Sequence, residues 1–509
     1  MENESKEGFD ETAITVTTVE NPVKEEDKIP LKEMFVYGAA DLFGGGQATL
    51  IAVLMLAYFT DIVGIHAWLA GLVILIAKLW QAISDPIFGV ITDNTRSKFG
   101  RRKPYLFIGG VLIIPAMLFL FAPVRSIPTE AGKTLFMAVA YVIYCTVSTI
   151  SQVPYTSLSS DISPDHRERN KANFIKLVFD MVAAALCYLV PSQLFERYKR
   201  GEIDYVVFYL GIALVFGALF AVPLILASIK VKERCPYPAE KSKFDIREWG
   251  KMLKIRSYRY HILMYVTAYL CMDIISAVAL YYVFTVMRGV QIFGMNFSSA
   301  FVVAPMMVCA GATVLLIQKL IQTHTKQFGF RIGLPLYIVG AVMLALYQPS
   351  WNAPWLVTLF AMLMGVGLGG AQMMPWLIFP DTIEVAELKL GYRPVGACSG
   401  IMTFSRKFAT AITIQIIGIV LSAAGYIEFN GDDMTKAPIQ PDTAVMAVRL
   451  IMGISVTVLI SLAIFISFKY KVTNEKLVRI RTFNEKAREN AILTDSEKSE
   501  KDALIGELV

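Results

Sequence analysis

Twelve stretches of this sequence are apolar enough and long enough to cross a bilayer, and that leaves few folds open to it. They cover about 34–60, 68–92, 104–123, 134–160, 173–195, 205–230, 259–288, 297–320, 330–348, 354–380, 395–425 and 443–470. Roughly 20 residues span the hydrocarbon core at about 1.5 Å per residue. Backbone in lipid must satisfy its own hydrogen bonds, so each run is predicted to be a helix. The composition agrees. Of 509 residues, 55% are hydrophobic and 18% charged, against about 25% charged in a soluble domain. The predicted fold class is an all-α membrane protein of twelve transmembrane helices.

Charge placement organises the runs. Between the sixth and seventh lies Val231 to Arg259, with Lys232, Arg234, Lys241, Lys243, Arg247, Lys251, Lys254, Arg256 and Arg259. This longest polar interruption divides the chain into a tail 1–33, a six-helix bundle 34–230, a central loop 231–258, a second bundle 259–470 and a tail 471–509. The loop after the second run carries Arg96, Lys98, Arg101, Arg102 and Lys103. Basic loops stay inside, so both termini are expected in the cytoplasm and the protein in the plasma membrane. Arg197, Lys199 and Arg200 run against that pattern. The net charge of +6 is scattered over short loops, which disfavours nucleic acid as a partner. Six cysteines show no metal or disulfide spacing. The first 30 residues hold no apolar core, so no signal peptide is expected there.

The two halves echo each other. The fourth run ends Gln152-Val-Pro154-Tyr155 and reaches Asp161; the tenth ends Gln372-Met-Met-Pro375-Trp376 and reaches Asp381. A six-plus-six repeat with matching prolines suits alternating access around a midplane site.

Polar residues inside the spans mark where that site lies. Lys78, Gln81 and Asp85 are spaced three and four apart, on one helix face. A charge at membrane depth costs several kcal/mol on most scales, so it turns to a bundle interior or a wet cavity. Asp85 is the candidate coupling residue, with a structural salt bridge to Lys78 or Lys407 as the plainer alternative. Lys176 and Lys407 are candidate donors to a sugar's hydroxyls or carboxylate; their alternative is charge balance for Asp41, Asp85, Asp180 and Asp273. Lys176 and Asp180 are four apart and could pair along their own helix. Tyr155 with Thr156, Trp376, Tyr281 and Tyr282 could line a sugar ring or simply pack. Gly44, Gly45, Gly46, Gly365, Gly367, Gly369 and Gly370 permit close helix approach. Asp93, Arg101, Arg102, Asp381, Glu384, Glu387 and Arg393 are candidate gating residues at span ends.

Several of these pieces resemble a known family. The twelve-span plan and the loop Gly89-Val-Ile-Thr-Asp93-Asn-Thr-Arg96-Ser-Lys-Phe-Gly100-Arg101-Arg102 resemble the major facilitator superfamily. More narrowly, Tyr37-Gly38 with Asp41, Tyr58-Phe-Thr60-Asp61, Trp80-Gln-Ala-Ile-Ser-Asp85-Pro86-Ile, Lys103-Pro104-Tyr105, Arg167-Glu-Arg169 and Asp381 through Arg393 resemble the glycoside–pentoside–hexuronide:cation symporters. The resemblance implies two pseudo-symmetric six-helix bundles. It implies a coupling-cation site from acidic positions on helices two and four, which here fall on Gln81, Asp85 and Gln152. It also implies sugar contacts at positions that fall on Gly45, Asp273 and Lys407, with Lys176 in the helix-five region.

Together these readings predict a symporter that imports a sugar, glycoside or sugar acid with a coupling cation by alternating access. One carboxylate and two amides suit H+ better than Na+, which remains the alternative. A carrier of an amphipathic lipid, a non-transporting sensor and a membrane enzyme are the other readings. Against an enzyme or ATP-driven pump, the sequence has no G-x-x-x-x-G-K-[ST] loop and no nucleophile constellation. No cofactor is expected, and the chain is expected to act as a monomer in the bilayer.

Overall fold

The computed structural model describes residues 28–124, 126–235, 246–292, 294–321, 326–428, 438–489 and 494–509. The spans, numbered in order, are Leu31–Val63, Ala67–Asn94, Lys103–Leu120, Glu130–Asp161, His166–Lys199 and Tyr205–Lys230 in the first half. The second half holds Arg256–Thr285, Ala300–Ile321, Lys326–Leu346, Trp355–Leu390, Val395–Ala423 and Asp442–Lys469. Ten meet the length and hydropathy of a membrane crossing. Spans 8 and 9 contribute shorter apolar helices, Ala300–Thr313 and Arg331–Leu346. Large apolar side chains line the outside of the bundle: Leu135, Phe174 and Phe468 are 67%, 66% and 62% exposed. That surface is suited to lipid rather than water.

In the first half, span 1 packs on span 5, span 2 on span 4, and span 3 on spans 4 and 6. In the second, spans 8 and 9 pack on span 10, and span 7 on spans 10, 11 and 12. The halves meet where span 2 packs on 11, span 1 on 7, and span 5 on 8. Glycines set the closest of these approaches. A Cβ on Gly418 would lie 2.3 Å from the Ala67 carbonyl oxygen, which fixes the contact of spans 2 and 11. Within the second half, a Cβ on Gly365 or Gly367 would lie 2.2 Å from the Met306 carbonyl and 2.6 Å from that of Gly333. Span 10 is therefore clamped between spans 8 and 9 by backbone contact.

Three segments differ from the sequence expectation. Span 1 begins at Leu31, inside the segment read as a tail, because Pro30 starts the turn and its carbonyl accepts from Glu33 and Met34. The central segment contains a short amphipathic helix, Ile246–Leu253, and its residues 236–245 lie outside those described. The charged C-terminal segment forms two helices, Asn474–Arg488 and Asp495–Leu508. They pack back onto the bundle: Ile480 and Phe483 are buried, and the Ser257 hydroxyl donates to the Leu508 carbonyl at 2.6 Å. Both ends of the described chain thus lie at one end of the bundle.

Candidate transport site

Three charged clusters meet midway along the spans. The first joins the halves. Lys407 of span 11 forms an ion pair with Asp85 of span 2. The other Asp85 oxygen accepts from the Thr149 hydroxyl of span 4 at 2.9 Å. Thr149 also bonds Ser84 at 3.2 Å, and Gln81 reaches Ser148 at 3.4 Å. Gln152, one turn beyond Thr149, has a buried amide oxygen with no hydrogen-bond partner among the described residues.

The second cluster lies between spans 1, 4 and 5. Asp41 is 4% exposed and stands 4.0 Å from the Lys176 ammonium. That ammonium also sits 4.8 Å above the Tyr155 ring. Tyr155 is fixed by donating its hydroxyl to the Tyr37 carbonyl at 2.9 Å. Lys176 therefore turns across to span 1 and not along its own helix to Asp180, contrary to the intrahelical pairing expected. Asp180 occupies other space. A Cβ on Gly45 would fall 1.8 Å from its carboxylate oxygen, so this carboxylate fills the volume a side chain at 45 would need. Gly45 is a vacancy in span 1 that span 5 fills.

The third cluster belongs to spans 7, 10 and 11. Asp273 accepts from the Thr410 hydroxyl at 2.6 Å and lies 3.8 Å from the Arg406 guanidinium. Arg406 stacks 4.1 Å over Tyr269, whose hydroxyl accepts from the Trp376 indole at 2.8 Å. Tyr265 completes this aromatic wall, 4.8 Å from Tyr269 and 5.8 Å from Trp376. Sequence reading missed Arg406, Tyr265 and Tyr269. The signal was a second cation beside Lys407 in an apolar span.

Other candidates fall elsewhere. Thr156 is exposed and donates to the Val153 carbonyl at 2.9 Å. Tyr281 and Tyr282 are buried packing residues: Tyr282 donates to the Leu344 carbonyl at 3.0 Å, and Tyr281 bonds Thr60 at 2.7 Å. The side chain of Gln372 lies outside those described. At the terminus end, Arg102 pairs with Asp93 and Asp161, and Arg101 with Asp161 at 2.5 Å. Glu233 accepts from the backbone N–H groups of Arg101 and Arg102. The acidic row of span 10 turns to the C-terminal helix. Arg488 holds Glu387 through two bonds of 2.7 and 2.6 Å, and Asn484 donates to Glu384 at 3.0 Å. Arg481 stands 3.8 Å from Asp381, and Arg393 reaches Glu384 at 3.3 Å.

Residues 36–474 match the family of MFS/sugar transport proteins. The chain belongs to that family. The match takes in all twelve spans except the first turn of span 1, and it makes the protein a membrane transporter and not an enzyme. Family relatives include an uncharacterized symporter of Synechocystis, 26% identical, with 83% of this chain and 91% of that one covered. The isoprimeverose transporter of Lactiplantibacillus pentosus is 23% identical, covering 80% of this chain and 83% of its own. A crystal structure of the nucleoside transporter NupG shares the fold at TM-score 0.59 and 11% identity, covering 86% and 99%. The family's major facilitator fold accounts for the pairing of spans 2 with 11 and 5 with 8 across the junction of the halves.

Proposed function

We propose that this protein imports a sugar, glycoside or sugar acid across the plasma membrane together with H+, by alternating access. The observation that carries the coupling is the Asp85–Lys407 ion pair, which bridges spans 2 and 11 across the junction of the two halves. A carboxylate that takes up a proton loses its hold on the ammonium. Lys407 is then released to donate to a substrate hydroxyl or carboxylate. Proton loss on the cytoplasmic side restores the pair and ejects the substrate. Gln81 and Gln152 cannot play this part, because amides do not titrate. Na+ coupling keeps one supporting feature, the unpartnered amide oxygen of Gln152 near the Asp85–Thr149 contact.

The topology has both termini inside, with 34–230 and 259–470 as the moving bundles. The basic residues at 96–103 and 247–259 support that sidedness. A cysteine introduced at Lys501 should resist impermeant reagents added to intact cells; ready labelling there would reverse the orientation.

The coupling is tested in vesicles with imposed gradients, on one transported sugar. One charge entering through about 100 mV supplies about 2.3 kcal/mol, enough for roughly fifty-fold accumulation of a neutral sugar. Asp85→Asn should abolish uphill accumulation and keep downhill exchange. Undiminished uphill transport would remove Asp85 from the coupling. Stimulation by Na+ with indifference to the pH gradient would assign the cation to sodium.

A further inference from the structure

Cations at the centre of the molecule have unspent hydrogen-bond donors. Lys407 is committed to Asp85, and Lys176 lies over the face of Tyr155, 4.0 Å from Asp41 on the side of spans 1 and 5. Lys78 and Arg406 are not committed in that way. The Lys78 ammonium, two turns from Asp85 on span 2, makes no hydrogen bond or ion pair among the described residues. Its charged neighbours are Lys407, Asp273 and Arg406. Arg406 carries five N–H donors. Its nearest carboxylate, Asp273, is 3.8 Å away, beyond hydrogen-bond reach. The Tyr265 hydroxyl is close enough to meet one donor. The Arg406 side chain is 36% exposed. Tyr269 covers one guanidinium face at 4.1 Å.

The charges around the centre are also segregated. On the side of spans 2, 7 and 11, Lys78, Arg406 and Lys407 face Asp85 and Asp273. On the side of spans 1 and 5, Lys176 faces Asp41 and Asp180, and Arg406 acts on Asp180 from across the centre. One side therefore carries an excess cation and the other an excess carboxylate. A cation at membrane depth with no hydrogen-bonded partner is costly, and intramembrane charges mark substrate and ion pathways.

We infer that Arg406 and Lys78 form an oxyanion subsite that takes the acidic group of the substrate, a carboxylate, sulfonate or phosphate carried on a sugar. The Arg406 edge meets the oxyanion through two parallel N–H···O bonds, a geometry lysine cannot reproduce. Lys78 adds a point charge from the opposite half, so the bound anion draws spans 2 and 11 together. Tyr269 backs the guanidinium, and the Trp376 indole holds Tyr269 in place. The excess carboxylate across the cavity, Asp180, accepts from sugar hydroxyls at the far end. An anion entering with one proton on Asp85 crosses as a neutral pair, which keeps the burial of both charges affordable in energy. This subsite deepens the transport reading and rests on it.

The test uses the purified full-length protein in nanodiscs of neutral lipid. Thermal shift and calorimetric titration compare glucuronate, galacturonate and glucose 6-phosphate with glucose, galactose and the methyl esters of the two uronates. The expected result is that at least one acid binds about ten- to hundredfold tighter than its neutral counterpart, the range for a hydrogen bond to a charged group. Arg406→Gln and Lys78→Met should each bring that ratio toward one, and Arg406→Lys should restore it only in part. Neutral sugars binding as well as the acids in the wild type would overturn the subsite while leaving sugar transport standing. So would a ratio that survives in both variants. Binding of a lysophospholipid with no response to any sugar would instead overturn the sugar reading, and the subsite's assignment with it.

Discussion

At the scale of single residues, the Asp85–Lys407 ion pair is the one charged contact named at mid-span that joins the two halves. Asp85 and Lys407 stood out because each interrupts an apolar run. Their pairing across the two halves is a tertiary fact, and the structure supplies it. It leads to a definite expectation. Lys407→Ala leaves the Asp85 carboxylate with only the Thr149 hydroxyl among the described residues, and should cost about 1–3 kcal/mol, the loss expected for an unpaired, partly buried charge. Adding Asp85→Asn removes the orphaned charge and should recover most of that loss. Melting curves of the wild type, both single variants and the double variant measure the coupling directly. A double variant as unstable as the sum of the singles would show that the two groups do not support each other. Arg406 was overlooked although it adjoins Lys407. Neighbouring residues on a helix point about 100° apart, so two adjacent cations cannot share one carboxylate. That argument was available from Ser405-Arg406-Lys407 alone. The substitution of Asp180 for a missing side chain at Gly45 was not legible, because no local pattern shows which helix fills a neighbour's vacancy.

At the scale of elements, the spans were legible because hydropathy and length set them almost alone. The fourth, predicted at 134–160, is Glu130–Asp161, and the sixth, predicted at 205–230, is Tyr205–Lys230. The glycines of span 10 carry the more exacting information. Gly367 faces the Gly333 carbonyl, and its missing Cβ is the condition for spans 9 and 10 to touch. Gly367→Val should push them apart, with a loss of several kcal/mol typical of overpacking at a helix contact. Folded yield and melting temperature in mild detergent would register it; an unchanged melt would mean the contact has slack. The C-terminal helices were missed for an opposite reason. Asn474–Arg488 buries Leu477, Ile480 and Phe483, a single apolar row among many charges. Such a helix has low overall hydropathy and reads as a solvated tail. Its arginines explain why the acidic row Asp381, Glu384 and Glu387 stays within the second half instead of reaching across to the first.

At the scale of the whole molecule, the bonds between the halves gather at the end away from the termini. Asp61 of span 1, 3% exposed, pairs with Lys199 of span 5 and accepts from the Tyr426 hydroxyl of the opposite half at 2.8 Å. Tyr281 of that half bonds Thr60 at 2.7 Å, and Phe284 covers the Lys199 ammonium at 4.4 Å. Beside them the Glu196 carboxylate accepts from the Ser299 backbone and hydroxyl, and Arg200 donates to the Phe297 carbonyl at 3.2 Å. The basic residues that broke the charge pattern are thus parts of a closure. Lys199 and Arg200 are spent on partners and do not act as free anchors. Among the described residues, the ionic networks named at the terminus end each stay within one half, whereas the far end is tied across the halves. On the proposed topology, with the termini in the cytoplasm, that tied end is the outer one. Opening outward must break the Tyr426–Asp61 and Tyr281–Thr60 bonds, while Asp61–Lys199 travels intact within the first half. Tyr426→Phe removes a hydrogen bond to a charged group, worth about 1.5–3 kcal/mol and made only in the closed form. The balance between closed and outward-open forms should therefore shift outward by about ten- to hundredfold. Spin labels at Glu202 and Met295, on opposite halves of that face, would report the shift as a growing long-distance population. An unchanged distance distribution in Tyr426→Phe, and again in Tyr426→Phe combined with Tyr281→Phe, would show that packing of the spans and not these hydroxyls holds the outer end shut.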